Sequence, residues 1–371
     1  MTTKLGDFAP GSAAIAEAAG LLAAWAGDRA APAPATPVLT LLQVARVHGT
    51  VWPLCAALTR AAPAGAPIYA AAMAEADARA EAAFATLTRA AADLNAAGLT
   101  PVALKGAVFP ALTGRPAPWR SMADVDLLVP PAALPRAIDA LGAAGWRGRD
   151  HDRLHRRIWG CYAHPPLVPP GGGAALELHV RCSYEHGGVL AGLADRARPS
   201  ALPGLRVPSA EDRLAHLVHQ VQLMDRGAPR RVVRLRDALD WRLIRRDDPA
   251  DLDATAHRFR KAGHAAAFAG FAALMGRLWA EPDLPAPDAE AVRWADAEAV
   301  RWADEALAGM ADPASLARFL PADYRRAAVE VLTRPGMTWE FVSRFLLSST
   351  RPGAAARAGR LLRRVALGRR D

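Results

Sequence analysis

Asp124 and Asp126 sit two residues apart in Arg120-Ser-Met-Ala-Asp-Val-Asp-Leu-Leu-Val129. The apolar run Val125–Val129, bounded by Asp124 and Pro130, reads as a buried strand, and side chains on a strand alternate between its faces. The two carboxylates therefore share one face while Val125 and Leu127 enter the core. Adjacent carboxylates repel one another unless a cation lies between them. Hard oxygen donors of this kind suit Mg²⁺ or Mn²⁺. Leu176-Glu-Leu-His-Val180 repeats the pattern: Glu177 and His179 share a strand face. If the two strands are neighbours, Glu177 becomes the third carboxylate of a two-metal site of the kind that handles phosphoryl chemistry. His179 is expected to be a hydrogen-bonded structural histidine. Upstream, the short apolar strand Pro101–Leu104 ends at Lys105-Gly106, a turn in which a glycine lets backbone N–H groups approach phosphate. Lys105, Arg120 and Ser121 are candidate phosphate donors, Arg120 with a fork that can bind in a bidentate way.

Helices must carry this small sheet. Thr36-Pro37 supplies an N-cap and first turn for an amphipathic helix that ends before Gly49, and an Ala-rich helix follows Pro67 and stops near Gly98. Leu134–Ala144 reads as a helix ended by Gly145. Two further strands are expected around Ile158–Ala163 and Ala175–Cys182, joined by Pro-Pro-Leu-Val-Pro-Pro-Gly-Gly-Gly. From Pro208 the helical period returns, with Ser209 and Asp212 resembling a capping box. The fold class is therefore α+β: a small mixed-sheet core (96–205) with an N-terminal helical region (1–95) and a C-terminal helical region (206–371). The octapeptide Asp-Ala-Glu-Ala-Val-Arg-Trp-Ala occurs in tandem at 288–295 and 296–303. Eight residues advance a helix about 80° past two full turns, so the repeated tryptophans form no single stripe.

At this point the sequence resembles a known family. The strand, glycine turn, short helix and Asp-x-Asp strand, with a later acidic strand residue, are similar to the polymerase-β-type nucleotidyltransferase superfamily. More narrowly, Leu-Lys-Gly, Arg-x-Met-x-Asp-x-Asp-Leu-Leu-Val and Glu-Leu-His resemble the bacterial nucleotidyltransferase family NTP_transf_5 over about residues 40–245. Leu-Val-His219 and Arg-Leu-Arg-Asp237 belong to the same resemblance. It implies transfer of a nucleoside monophosphate from an NTP to a hydroxyl of a small molecule, peptide or protein, with pyrophosphate released. Members often accompany genes for peptide natural products, which favours a peptide acceptor. In these terms Asp124, Asp126 and Glu177 are both the catalytic and the metal set, and Lys105, Gly106, Arg120 and Ser121 bind the nucleotide. The chain departs from the wider superfamily in having Ala107 where a turn hydroxyl is usual, and in the 17 residues between Gly106 and Asp124. A catalytically silent nucleotide-binding scaffold is therefore an alternative, and an RNA-directed or toxin-type transferase is another.

Composition narrows the classes further. The 371 residues carry 46 Lys+Arg against 37 Asp+Glu, a net charge of +9, yet lysine occurs only at 4, 105 and 261. Such a balance follows coding bias more simply than nucleic-acid binding. The tail 351–371 holds seven arginines and one acid, without aromatics for base stacking. Residues 195–246 carry 12 arginines against six acids, a basic helical stretch that would suit an anionic nucleotide. His216 and His219 on that stretch are read as packing histidines. No apolar run reaches the ~18–20 residues of a membrane span. Three cysteines cannot staple a chain this long, which suggests the cytoplasm. Cys161-x-x-His164 and His179-x-x-Cys182 mimic zinc spacing, but an offset of three on a strand points the members of each pair to opposite faces.

Overall fold

The computed structural model describes residues 12–27, 29–148, 163–182, 188–225, 227–230, 233–279, 301 and 304–306. The tandem octapeptide apart from Arg301, the Arg-rich tail, Cys161 and the expected Ile158–Ala163 strand apart from Ala163 lie outside these residues.

The chain opens with helices α1 (Ser12–Ala26), α2 (Val38–His48), α3 (Val51–Ala61) and α4 (Ala66–Ala96). Pro37 precedes α2, and Gly49 closes it in the left-handed conformation at φ +70, donating its N–H to Ala45 O. The sheet follows, with β1 (Val102–Ala103), α5 (Val108–Thr113), β2 (Asp124–Leu128), α6 (Leu134–Ala143), β3 (Arg147–Gly148), β4 (Leu167–Val168), β5 (Ala175–His179), β6 (Arg198–Pro199) and β7 (Arg206–Val207). Its order is β3-β4-β5-β2-β1-β7-β6. At its centre β2 runs parallel to β5, with Asp126 opposite Glu177, and antiparallel to β1. The C-terminal part holds α7 (Ala210–Val218), a π-helical turn over His219–Met224, α8 (Gly227–Arg230), α9 (Leu235–Asp247), α10 (Leu252–Lys261) and α11 (Ala265–Leu278). The result is the expected α+β architecture.

Alternation along the central strands decides what each face does. Val125, Leu127, Leu176 and Leu178 point to one side and form a core with Leu87 and Leu94 of α4 and Leu141 of α6. Each such leucine, taken fully out of water, contributes roughly 1.5–3 kcal/mol of transfer free energy. The opposite face carries Leu128 into a second core with α1–α3 and the C-terminal helices, built around Phe259, Phe268, Phe271 and Trp241. Asp124, Asp126, Glu177 and His179 lie on that second face.

Four strands depart from expectation: β3, β4, β6 and β7. Leu167–Val168, inside the Pro/Gly-rich connection, pairs antiparallel with β5 through Leu167 and Leu176. The flanking prolines limit it to two residues, which a near-edge strand tolerates. The cap expected at Ser209 forms: its Oγ accepts from the Asp212 N–H at 3.2 Å.

Candidate active site

The parallel register of β2 and β5 assembles the site, because it sets Asp126 beside Glu177 and Leu128 beside His179. Asp126 is buried, and its Oδ1 accepts two bonds, from Lys105 Nζ at 2.6 Å and from His179 Nε2 at 2.7 Å. His179 is fully buried and also lies 3.6 Å from Glu177 Oε2. Asp126, Glu177 and His179 each offer one ligand atom within 4.8 Å of the others, the one such group among the described residues. Two carboxylates and an imidazole suit a divalent ion. The sequence reading placed Asp124 in the metal set. Asp124 lies on the same face but is not one of these three.

The charges act on one another strongly. Burial would raise the Asp126 carboxyl, but the Lys105 ammonium and the His179 bond hold it well below the usual carboxylate range. Asp124 and Glu177 move upward, first through burial and then through the charge of Asp126, with Lys105 partly opposing. A part-buried Glu177 with raised proton affinity is suited to accept a proton. Burial works against the Lys105 ammonium, but Asp126 beside it raises its affinity for its proton.

The turn after β1 aims Lys105. Its φ of +47 is the one positive value at a non-glycine among the described residues. Left-handed backbone at a residue with a Cβ costs about 1–2 kcal/mol, so the ion pair and surrounding packing must hold it. Gly106 makes a close approach inside the fold. A Cβ there would meet Met122 Cγ at 2.7 Å, so this glycine makes room for the loop that leads into β2.

Arg120 acts as a clamp: Nε donates to Asp240 Oδ2 at 2.7 Å, and Nη1 to the carbonyl of its exposed neighbour Ser121 at 2.6 Å. It ties the loop before β2 to α9. A cavity of about 210 Å³ lies between that loop, the turn after β1 and the C-terminal helices, lined among others by Lys105, Phe109, Arg120, His216, Gln220 and Arg236. The π-helical turn lengthens the backbone register after α7 at the point where Gln220 and Val221 meet the cavity. Several of the arginines in 195–246 are paired within the fold. Arg196, Arg213 and Arg234 all bond carboxylates. Asp237 is one of those acceptors; burial opposes its charge, but Arg234, Arg236 and Arg120 bring it down to about 2.

Sequence reasoning undervalued His179, which was visible only as a face-mate of Glu177. It also gave His216 no more than a packing role, and His216 lines the cavity. Burial, then the nearby Lys105 charge, push His216 down to about 3 from 6.5. The unfolded chain therefore takes up a proton below about pH 6.5 that the folded chain refuses, and stability falls by up to about 1.4 kcal/mol per pH unit toward pH 3. Urea titrations at pH 7.5 and 5.5 should show that loss in the wild type and a smaller one in His216→Gln. Equal losses would contradict this assignment.

Among the described residues, no helix is long and apolar enough to cross a membrane. No curated protein and no solved structure matches the chain. A family model described as "uncharacterised nucleotidyltransferase" (NTP_transf_5) matches residues 34–280, well over half of the 371. That span takes in the sheet, the acidic face and the helices around the cavity, and the chain belongs to this nucleotidyltransferase family.

Proposed function

We propose that the chain is a divalent-metal-dependent nucleotidyltransferase, moving a nucleoside monophosphate from an NTP to a hydroxyl of a small-molecule, peptide or protein acceptor. The observation that carries this reading is the register that places Asp126, Glu177 and His179 around one point, with Lys105 beside them and a cavity adjoining. In the reaction the acceptor oxygen bonds to the α-phosphorus, the bond to the β-phosphate oxygen breaks, and pyrophosphate leaves. Asp126, Glu177 and His179 would hold Mg²⁺ or Mn²⁺, with Asp124 beside them. The bound ion supplies Lewis-acid stabilisation of phosphate charge.

This chain's residues do the rest. Without the ion, His179 Nε2 fixes Asp126 by bonding Oδ1; the same nitrogen, deprotonated, would be its ligand atom when the ion binds. Glu177, a quarter exposed and with raised proton affinity, takes the proton of the attacking hydroxyl, directly or through water. Arg120 holds the loop before β2 in place and, with Arg236, turns cationic surface to the cavity where the nucleotide's phosphates and sugar would lie. Cys55 and Cys182 are free and buried, which suits a reducing compartment such as the cytoplasm.

Ala107, without a hydroxyl to touch phosphate, keeps a second reading in play, a scaffold that binds nucleotide without turning it over. Both readings require binding. Saturating NTP with Mn²⁺, at about 100 times Kd, should stabilise the folded chain by about 2.7 kcal/mol. The melting temperature should rise by several degrees in the wild type and not in Asp126→Asn. If no NTP raises it, both readings fail.

A further inference from the structure

Lys105 is placed as no ordinary phosphate-binding lysine would be. Its ammonium lies 2.6 Å from Asp126 Oδ1, on the same oxygen that His179 holds from the other side. Asp124 and Glu177 are both near enough for their charges to act on it. Its side chain is three-quarters buried and its backbone is left-handed. It is also one of only three lysines in a chain with 46 basic residues. A cation fixed covalently to the fold, inside a carboxylate cluster, does the electrostatic work of a bound metal ion.

The donor set has the matching asymmetry. One group of ligand atoms converges, from Asp126, Glu177 and His179, and Asp124 is left outside it. Asp124, Asp126 and Glu177 carry three negative charges and Lys105 returns one, so a single divalent ion neutralises the cluster. We infer that the site takes one divalent ion per chain, at Asp126, Glu177 and His179, and that the Lys105 ammonium stands between Asp124 and Asp126 in place of a second. This rests on the transferase reading and sharpens it: the two-metal arrangement expected from the carboxylates becomes one metal and one lysine.

The test counts ions rather than turnover. The full chain is loaded with Mn²⁺ and an α,β-methylene NTP analogue, then examined by native mass spectrometry and electron paramagnetic resonance. The wild-type complex should hold one Mn²⁺ per chain, without the spin coupling of a paired site. Lys105→Met should hold two, with coupled spins. Two coupled ions in the wild type would overturn the inference while leaving the transferase reading intact. So would a single ion in a folded Lys105→Met. No ion in the wild type would overturn both. If Lys105→Met does not fold, Lys105→Gln serves, and the wild-type count decides alone.

Discussion

Asp126→Asn should lower nucleotidyl transfer on the order of 10³-fold, equivalent to about 4 kcal/mol of transition-state stabilisation. Asparagine keeps the shape of the side chain and removes its charge. Three groups then lose their common anion: the Lys105 ammonium at 2.6 Å, the His179 imidazole at 2.7 Å and the metal site that the carboxylate shares with Glu177. The effect should appear in both KM and kcat, since the lost carboxylate holds the ion that binds the nucleotide as well as the charge that develops in the transition state. Asp139→Asn on the exposed face of α6 is the control, and it should leave transfer unchanged. A folded Asp126→Asn within about threefold of wild type would remove Asp126 from the chemistry.

The largest stability effect should come from a residue outside the site. Asp212 is fully buried at the start of α7, where it accepts from Arg196 Nε at 2.9 Å and Nη2 at 2.6 Å, and from Arg258 Nη1 at 2.6 Å. It thereby joins the segment before β6 and α10 to α7. Its own N–H also closes the cap on Ser209. Asp212→Ala leaves two guanidinium groups without that acceptor; because Arg196 and Arg258 are part exposed and water can reach them, the cost is about 3 kcal/mol, the low end for a broken buried pair. For a chain of 371 residues that corresponds to a fall in melting temperature of roughly 4 °C. Calorimetry checks it. A shift under 2 °C would mean that water and other acceptors replace Asp212 at little cost.

Asp126 and Asp212 differ in how far the sequence discloses them. Asp124, Asp126 and Glu177 could be found because strand alternation is a local property, and β2 and β5 carry clear apolar alternation. Gly49, Gly98 and Gly145 announced helix ends for the same reason, each adopting a positive φ. The two-residue strands β3, β4, β6 and β7 are too short to carry a period, and their pairing partners define them. His179 could be placed beside Asp126 only through the β2–β5 register, which no local window contains. The Arg120–Asp240 clamp spans 120 residues of sequence. Lys105 reads as a phosphate donor because it sits beside the glycine turn facing the expected phosphates, and it does line the cavity. Its bond to Asp126 goes with a left-handed backbone, and that detail has no sequence signature at a non-glycine residue.

The most direct test of the central claim is a paired labelling experiment on the full wild-type chain with Mn²⁺ and a cell extract as the source of acceptor. Each NTP is supplied once with the label on the α-phosphate and once on the γ-phosphate. The site described above predicts that α-label becomes attached to an acceptor while γ-label leaves as pyrophosphate, and that Asp126→Asn loses the attachment. Stable attachment of γ-label, or α-label transfer that survives Asp126→Asn, would contradict it.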